Sequence, residues 1–129
     1  MVRFASPEWI AELDRAVSAD ESLQRAGADV SLVVQQTVTG GPSGDAAWHV
    51  VVDHGRARVH AGVAPEADVS FSQSYETAAA IGRGELSAQT AFMVGSLRVG
   101  GDVELLMRHQ ATFDGVDDVF EKVRAVTEY

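Results

Sequence analysis

The sequence predicts an α+β domain: one mostly antiparallel sheet of five strands with helices packed over one of its faces. Three observations lead there. Apolar residues recur at helical spacing up to residue 17, fall at every second position from residue 30 to 61, and then fall into short strands and helices separated by glycines. The alternating region is broken only by Gly40-Gly41-Pro42-Ser43-Gly44-Asp45 and Asp53-His54-Gly55, which suit hairpin turns. The last third closes on an apolar stripe of helical period.

Taken in order, Ser6-Pro7-Glu8 opens a helix: a hydroxyl cap, a proline where no N–H is needed, and a carboxylate near the positive end of the dipole. Trp9, Ile10, Leu13 and Val17 then share one helical face. Residues 20 to 27 add a short turn ending near Gly27. Val30, Leu32, Val34, Gln36 and Val38 form one side of a strand, opposite Ser31, Val33, Gln35 and Thr37. In the second strand Trp48, Val50 and Val52 alternate with His49, Val51 and Asp53. In the third, Arg56 to Ala61, Arg56, Arg58 and His60 point one way and Ala57, Val59 and Ala61 the other. These three strands make an antiparallel meander.

Asp68 to Ser72 supplies a fourth strand, with Val69 and Phe71 on one side, and Ser74 caps a helix running to about Ile81 that Gly82 and Gly84 stop. Ser87 starts a short helix, Gly95 breaks it, and Ser96 to Gly100 is the fifth strand. Asp102 is expected to cap a helix carrying Val103, Leu106 and Met107. After Asp114, a last helix presents Val116, Val119, Phe120, Val123 and Val126.

Composition narrows the function classes. The 129 residues fit one domain, 1–129, able to bury a single core without staples. There is no cysteine, hence no disulfide framework, thiolate metal site or cysteine nucleophile. Glu12, Asp14 and Arg15 interrupt any leader-like apolar run, and no stretch approaches the roughly 20 apolar residues of a membrane span. These points lead to an expectation of a cytoplasmic protein without stable membrane insertion. The net charge of −9 opposes phosphate backbones, so nucleic acid is not an expected partner.

Reactive chemistry is sparse. His49, His54, His60 and His109 come singly, none in a metal-ligand spacing, and Asp20-Glu21 and Asp117-Asp118 read as solvated charges because sequence neighbours point apart on a helix. Neither a metal, a cofactor nor a catalytic residue is expected. By contrast, residues 67 to 107 are rich in apolar surface.

In that stretch the run Ala67-Asp68-Val69-Ser70-Phe71-Ser72, then Gly84-Glu85-Leu86, then Gln89-x-Ala91-Phe92-Met93-x-Gly95-x-Leu97-x-Val99-x-Gly101-Asp102 resembles the sterol carrier protein type 2 family of lipid-binding domains. A looser likeness, in element order and glycine placement, extends back to about residue 29. The resemblance implies a five-stranded mixed sheet flanked by helices, with an apolar tunnel between them for a sterol, fatty acid, fatty acyl-CoA or similar molecule. Carried over by position, it makes Phe71, Ile81, Phe92, Met93, Leu97, Val99, Leu106 and Met107 the ligand-binding candidates. It also implies a carrier and not an enzyme.

Three departures from the family pattern bear on the ligand. Ala78, Ala79 and Ala80 stand where larger apolar residues are usual, which either widens the cavity or lets the helix approach the sheet. Glu85 stands where the family often has lysine, and the chain ends Thr127-Glu128-Tyr129, unlike a peroxisomal address. The final apolar stripe fits three roles: a gate over a tunnel mouth with Gly115 as hinge, a core element, or a homodimer face. The alternative to a carrier is an interaction or dimerisation module on the same fold, its tunnel filled by side chains.

Overall fold

The structure is a computed structural model that describes residues 1–42 and 44–129. The chain runs β1 (Val2–Arg3), α1 (Pro7–Ala19), α2 (Glu21–Ala26), β2 (Ser31–Gly41), β3 (Gly44–Asp53), β4 (Arg56–Ala61), β5 (Val69–Ser74), α3 (Tyr75–Gly82), α4 (Ala88–Met93), β6 (Leu97–Gly101), α5 (Val103–Arg108), α6 (Gln110–Arg124) and β7 (Thr127–Glu128). Five strands form one sheet in the order β4-β3-β2-β5-β6, antiparallel throughout except where β5 lies parallel to β2. The α+β class and the five-stranded mixed sheet are those the sequence predicts.

The parallel pair arises because the chain leaves β4 at one edge and crosses the outer face of the sheet before entering β5 beyond β2. Gln35 holds that crossing. Its amide nitrogen donates to the carbonyls of Trp48 (3.1 Å) and Gly62 (3.4 Å), and its oxygen accepts from the Ala64 N–H (2.8 Å). So an amide on the face away from the helices is only 7% exposed, with its donors and acceptor satisfied as burial requires. Asp68 then pins the entry to β5, its carboxylate accepting from the Val33 N–H at 2.7 Å.

On the other face, registers align Leu32, Val34, Gln36 and Val38 of β2 with Val52, Val50, Trp48 and Ala46 of β3, and with Val69, Phe71 and Gln73 of β5. α1 lays Trp9, Leu13 and Val17 on the β3–β4 half, and the Trp9 and Trp48 rings meet edge to face at 5.0 Å. α1 also covers the exposed edge of β4. Asp14 accepts from the Val59 N–H at 2.8 Å, and Ser18, one turn on, donates to the Ala57 carbonyl at 3.2 Å. The open backbone of the edge strand is thereby paired.

Several sequence expectations are refined. β2 and β3 extend to Gly41 and from Gly44, shortening the expected loop; its Ser43 lies outside the described residues. Asp102 makes no side-chain cap; instead its N–H donates to the Asp68 carbonyl at 2.7 Å, which ties β6 to the start of β5. Asp20 is not merely solvated, because it accepts from the Leu23 N–H to cap α2 and meets Lys122 at 2.8 Å. α6 begins at Gln110 and holds Gly115 inside the helix, against Leu23, so Gly115 is a site of close approach and not a hinge. Val126 lies beyond the helix and is 44% exposed. The two-residue strands β1 and β7, which pair Val2 with Thr127 and Arg3 with Glu128, have no readable signal in so short a span.

Candidate functional site

The helix-facing side of the sheet is closed at one end and open at the other. Across β2, β3 and β4, Leu32, Val34, Val38, Trp48, Val50, Val52, Ala57 and Val59 are all buried. On β5 and β6 only Val69 and Leu97 are buried, whereas Phe71, Gln73 and Val99 are half-exposed. α1 and α2 cover the first half; α3 and α5 lie against β5, and α6 reaches over it through Phe113.

The side that α6 turns to β5 is set by helical phase. Thr112, Val119 and Val123 form the buried centre of α6, and Gly115 and Lys122 lie toward α2. Rotating the other way brings Phe113, Phe120, Arg124 and Asp117 to the opposite margin. Phe113 meets Phe71 of β5 at 6.5 Å between ring centroids, Phe120 meets Trp9 at 5.7 Å, and the Arg124 guanidinium donates to the Gly82 carbonyl at the end of α3. The result is a half-covered sheet face along β5 and β6, with α6 and α3 beside it. On this face Gln36 of β2 and Gln73 of β5 bond to each other through their side chains (Gln73 Nε2 to Gln36 Oε1, 3.1 Å). Ala78 and Ala79 are buried, so α3 sits close on the sheet, the second of the two consequences the alanines allow.

Asp117 is the electrostatic singularity of this margin. Water reaches it, yet enough protein surrounds its carboxyl that burial, reinforced by Asp114, Asp118 and Glu121, pushes it up to about 6. Asp117 and Asp118 are both solvent-exposed, as the sequence reading expects. At the far end of the margin Arg83 is engaged by Glu85 (3.0 Å).

The eight sequence-derived candidates divide. Phe71 and Val99 are register partners on the half-covered face, with Leu97 on the same side of β6. Ile81 at the end of α3 and Leu106 of α5 are half-buried. Phe92 (52% exposed), Met93 (77%) and Met107 (80%) point into solvent. α4 buries only Ala91 and α5 buries none of its residues, so the apolar side chains of both short helices lie largely outside the core.

A separate apolar cavity of about 300 Å³ lies under the N-terminus of α1, lined among others by Phe4, Ile10, Ala46, Ala61 and Tyr75. None of the eight candidates lines it. A second depression, about 360 Å³, is charged and sits between α2 and α6, at Asp20, Asp118, Glu121 and Lys122. The signal for Gln36 was present in the sequence, an amide among Val34 and Val38 on one strand face. Phe113 carried none, because only the tertiary placement of α6 turns it toward β5.

Among the described residues no cluster of three or more histidine, cysteine or acidic side chains could hold a metal ion, and no helix is long and apolar enough to cross a membrane. His49 and His60 pair on the outer face of the sheet at 5.4 Å, opposite the helices.

Comparison with known proteins adds the family. The sequence matches the model of the SCP-2 sterol transfer family over residues 10–114. No curated protein matches it significantly. Among solved structures, it is similar to a crystal structure of sterol carrier protein 2 (20% identity, 92% of this chain and 98% of that one, TM-score 0.75). It is also similar to a conserved hypothetical protein of Thermus thermophilus described as possibly a sterol carrier protein (20% identity, 95% and 91%, TM-score 0.74). A third is palmitated SCP2L2 from Aedes aegypti (24% identity, 89% and 94%, TM-score 0.61).

Proposed function

The chain belongs to the SCP-2 sterol transfer family, and from that premise we propose that it is a non-enzymatic carrier holding a hydrophobic molecule between sheet and helices. The observation that carries this reading is the half-covered sheet: the β2–β4 face is packed shut while Phe71, Val99 and Phe113 keep part of their surface open. An alkyl chain or sterol nucleus laid there removes its own surface and theirs from water. Each ~100 Å² so buried contributes about 2.5 kcal/mol.

In this proposal Phe71, Leu97, Val99, Ile81 and Leu106 form the inner wall, and Phe92, Met93 and Met107 are the outer apolar side chains of α4 and α5 that a bound ligand or a donor surface covers. The palmitated state of the mosquito relative supports a long-chain ligand in the same fold. The outward position of the His49 and His60 pair supports carriage over catalysis. The whole span 1–129 acts as one domain, in the cytoplasm, as the cysteine-free composition suits.

Native mass spectrometry of protein purified without detergent, followed by organic extraction, tests the reading. A stoichiometric lipid is the expected result. A clean apo mass that resists loading by a panel of fatty acids, alcohols and sterols would overturn it. A stable dimer in that spectrum would move the function to an interaction module with a filled tunnel.

A further inference from the structure

We propose that His49 and His60 form a chelating site for a divalent transition cation, of the zinc, nickel and copper class, on the outer face of the sheet. The site is independent of what the helix-facing side carries. The two residues are register partners on the antiparallel strands β3 and β4, and their rings lie 5.4 Å apart between centroids, tilted by 38°. Metal–nitrogen bonds of about 2.0–2.1 Å in a near-tetrahedral arrangement hold two imidazole centroids about 5–5.5 Å apart. Strand pairing thus already sets the separation that two ligands of one cation need.

The tautomer of His49 is set by its neighbour. Its Nδ1 lies 3.0 Å from the Gly62 carbonyl oxygen. A carbonyl only accepts, so Nδ1 carries the proton and the neutral ring keeps its lone pair on Nε2. Histidines that bind metals are oriented in this way, by donating the other ring N–H to a carbonyl or carboxylate. Gly62 is itself held in place. Its N–H donates to the Ala47 carbonyl at 2.8 Å, and its carbonyl also accepts from Gln35 Nε2 at 3.4 Å. The half-buried His49 ring is therefore anchored to the start of the crossing to β5, while the exposed His60 ring can turn to share its cation.

The surroundings fix the class of ion. Among the described residues no third histidine or acidic side chain joins the pair, and Asp14 is committed to Arg58 and the Val59 N–H. Arg58, two residues before His60 on the same strand face, has its charge offset by that carboxylate at 2.9 Å. Two protein nitrogens leave the remaining coordination positions to water, so the ion exchanges. Imidazole nitrogens suit nickel, copper and zinc, whereas magnesium and calcium take oxygen ligands. Once one ring has bound, the second binds intramolecularly, so the pair exceeds a single histidine by at least about tenfold.

The test titrates chelator-treated protein with Ni²⁺, Cu²⁺ and Mg²⁺ by calorimetry in a non-coordinating buffer at about pH 7.5, above the range where free imidazole is protonated. One equivalent of Ni²⁺ is expected to bind, Cu²⁺ more tightly, and Mg²⁺ not at all. His49→Gln and His60→Gln should each weaken Ni²⁺ binding about tenfold or more, and His54→Gln and His109→Gln should leave it unchanged. A second readout needs no variant: substoichiometric Cu²⁺ should broaden the imidazole NMR signals of His49 and His60 before those of His54 and His109. Absence of Ni²⁺ binding would overturn the inference. So would broadening centred on His54 or His109, or a loss confined to one variant of the pair, which would leave a single-histidine contact and no chelate. None of these outcomes touches lipid uptake, so the carrier reading stands or falls separately.

Discussion

Asp14 is the side chain that fastens α1 to the edge of the sheet, and its removal has a magnitude that follows from three contacts. Its carboxylate accepts from the Val59 N–H at 2.8 Å and from two nitrogens of Arg58, each at 2.9 Å. Asp14→Ala leaves the Val59 N–H on the edge of β4 without its charged acceptor. Hydrogen bonds to charged groups contribute about 1.5–3 kcal/mol, and water reaching this partly covered edge recovers some of that, so a loss of about 1.5–2 kcal/mol is expected. The Arg58 pair adds little, because Arg58 is 59% exposed. With a melting entropy near 0.27 kcal/mol per degree for 129 residues, Tm falls by about 6–7 °C. Asp14→Asn, which keeps a neutral acceptor, should lose about half as much. Arg58 and the Val59 N–H hold the Asp14 carboxyl below its usual 3.8 against the opposing effect of burial. The stability it confers is therefore present above 3.8 and lost as pH drops below that value through the folded-state titration. Urea melts of parent and Asp14→Ala at pH 7 and pH 3 check both parts. A difference under about 0.5 kcal/mol at pH 7, or one that does not narrow at pH 3, would refute the reasoning.

Three further outcomes are expected. Gly101 has a φ of +81°, and a Cβ there would run into the Asp68 carbonyl oxygen, so Gly101→Ala should destabilise by about 2 kcal/mol or more in urea melts and loosen β6 from β5 in hydrogen exchange. Asp117 titrates near 6 in the fold against 3.8 when unfolded, so its ionisation costs stability that is fully present below 3.8 and lost as pH rises through 6. Asp117→Asn should thus be more stable than the parent at pH 7.5, by about 1 kcal/mol once the exposure of the group is discounted, and indistinguishable from it below pH 4; equal stability at both values would rule this out. For ligand uptake, Phe71→Ala should weaken lipid binding about fivefold through lost apolar sheet surface, whereas Phe92→Ala, already 52% exposed, should change it less than twofold. The reverse order in a fluorescent-lipid titration would make α4, not the sheet, the binding wall.

Most of the architecture was legible in the sequence because its signals are local. Ser6, Ser74 and Ser87 each cap the helix that follows, accepting from the N–H three residues on. The alternation of Leu32, Val34 and Val38 with Ser31, Val33 and Thr37 assigns the faces of β2 before any partner strand is known. Gly95, at φ +81°, ends α4 where the sequence placed the break. Family membership was legible for the same reason, since the run from Asp68 to Asp102 is contiguous. Where local rules misled, a distant partner had intervened. The Asp102 N–H bonds to the Asp68 carbonyl 34 residues away, Gln35 is buried because the crossing loop lands on it, and Thr112, at the start of α6, reaches the Ala26 carbonyl at 3.1 Å.

Periodicity and turn chemistry, carried by a few consecutive residues, determined the elements, their order and the likeness to a lipid-carrier family. Which apolar side chains stay open was decided only in three dimensions. Phe92, Met93 and Met107 have the same hydrophobic character as Leu97 and Val69, and no local pattern separates them. Exposure depends on where α1, α3 and α6 come to rest on a twisted sheet. That is a sum of contacts between residues far apart in the chain, such as Phe71 with Phe113 and Arg124 with Gly82.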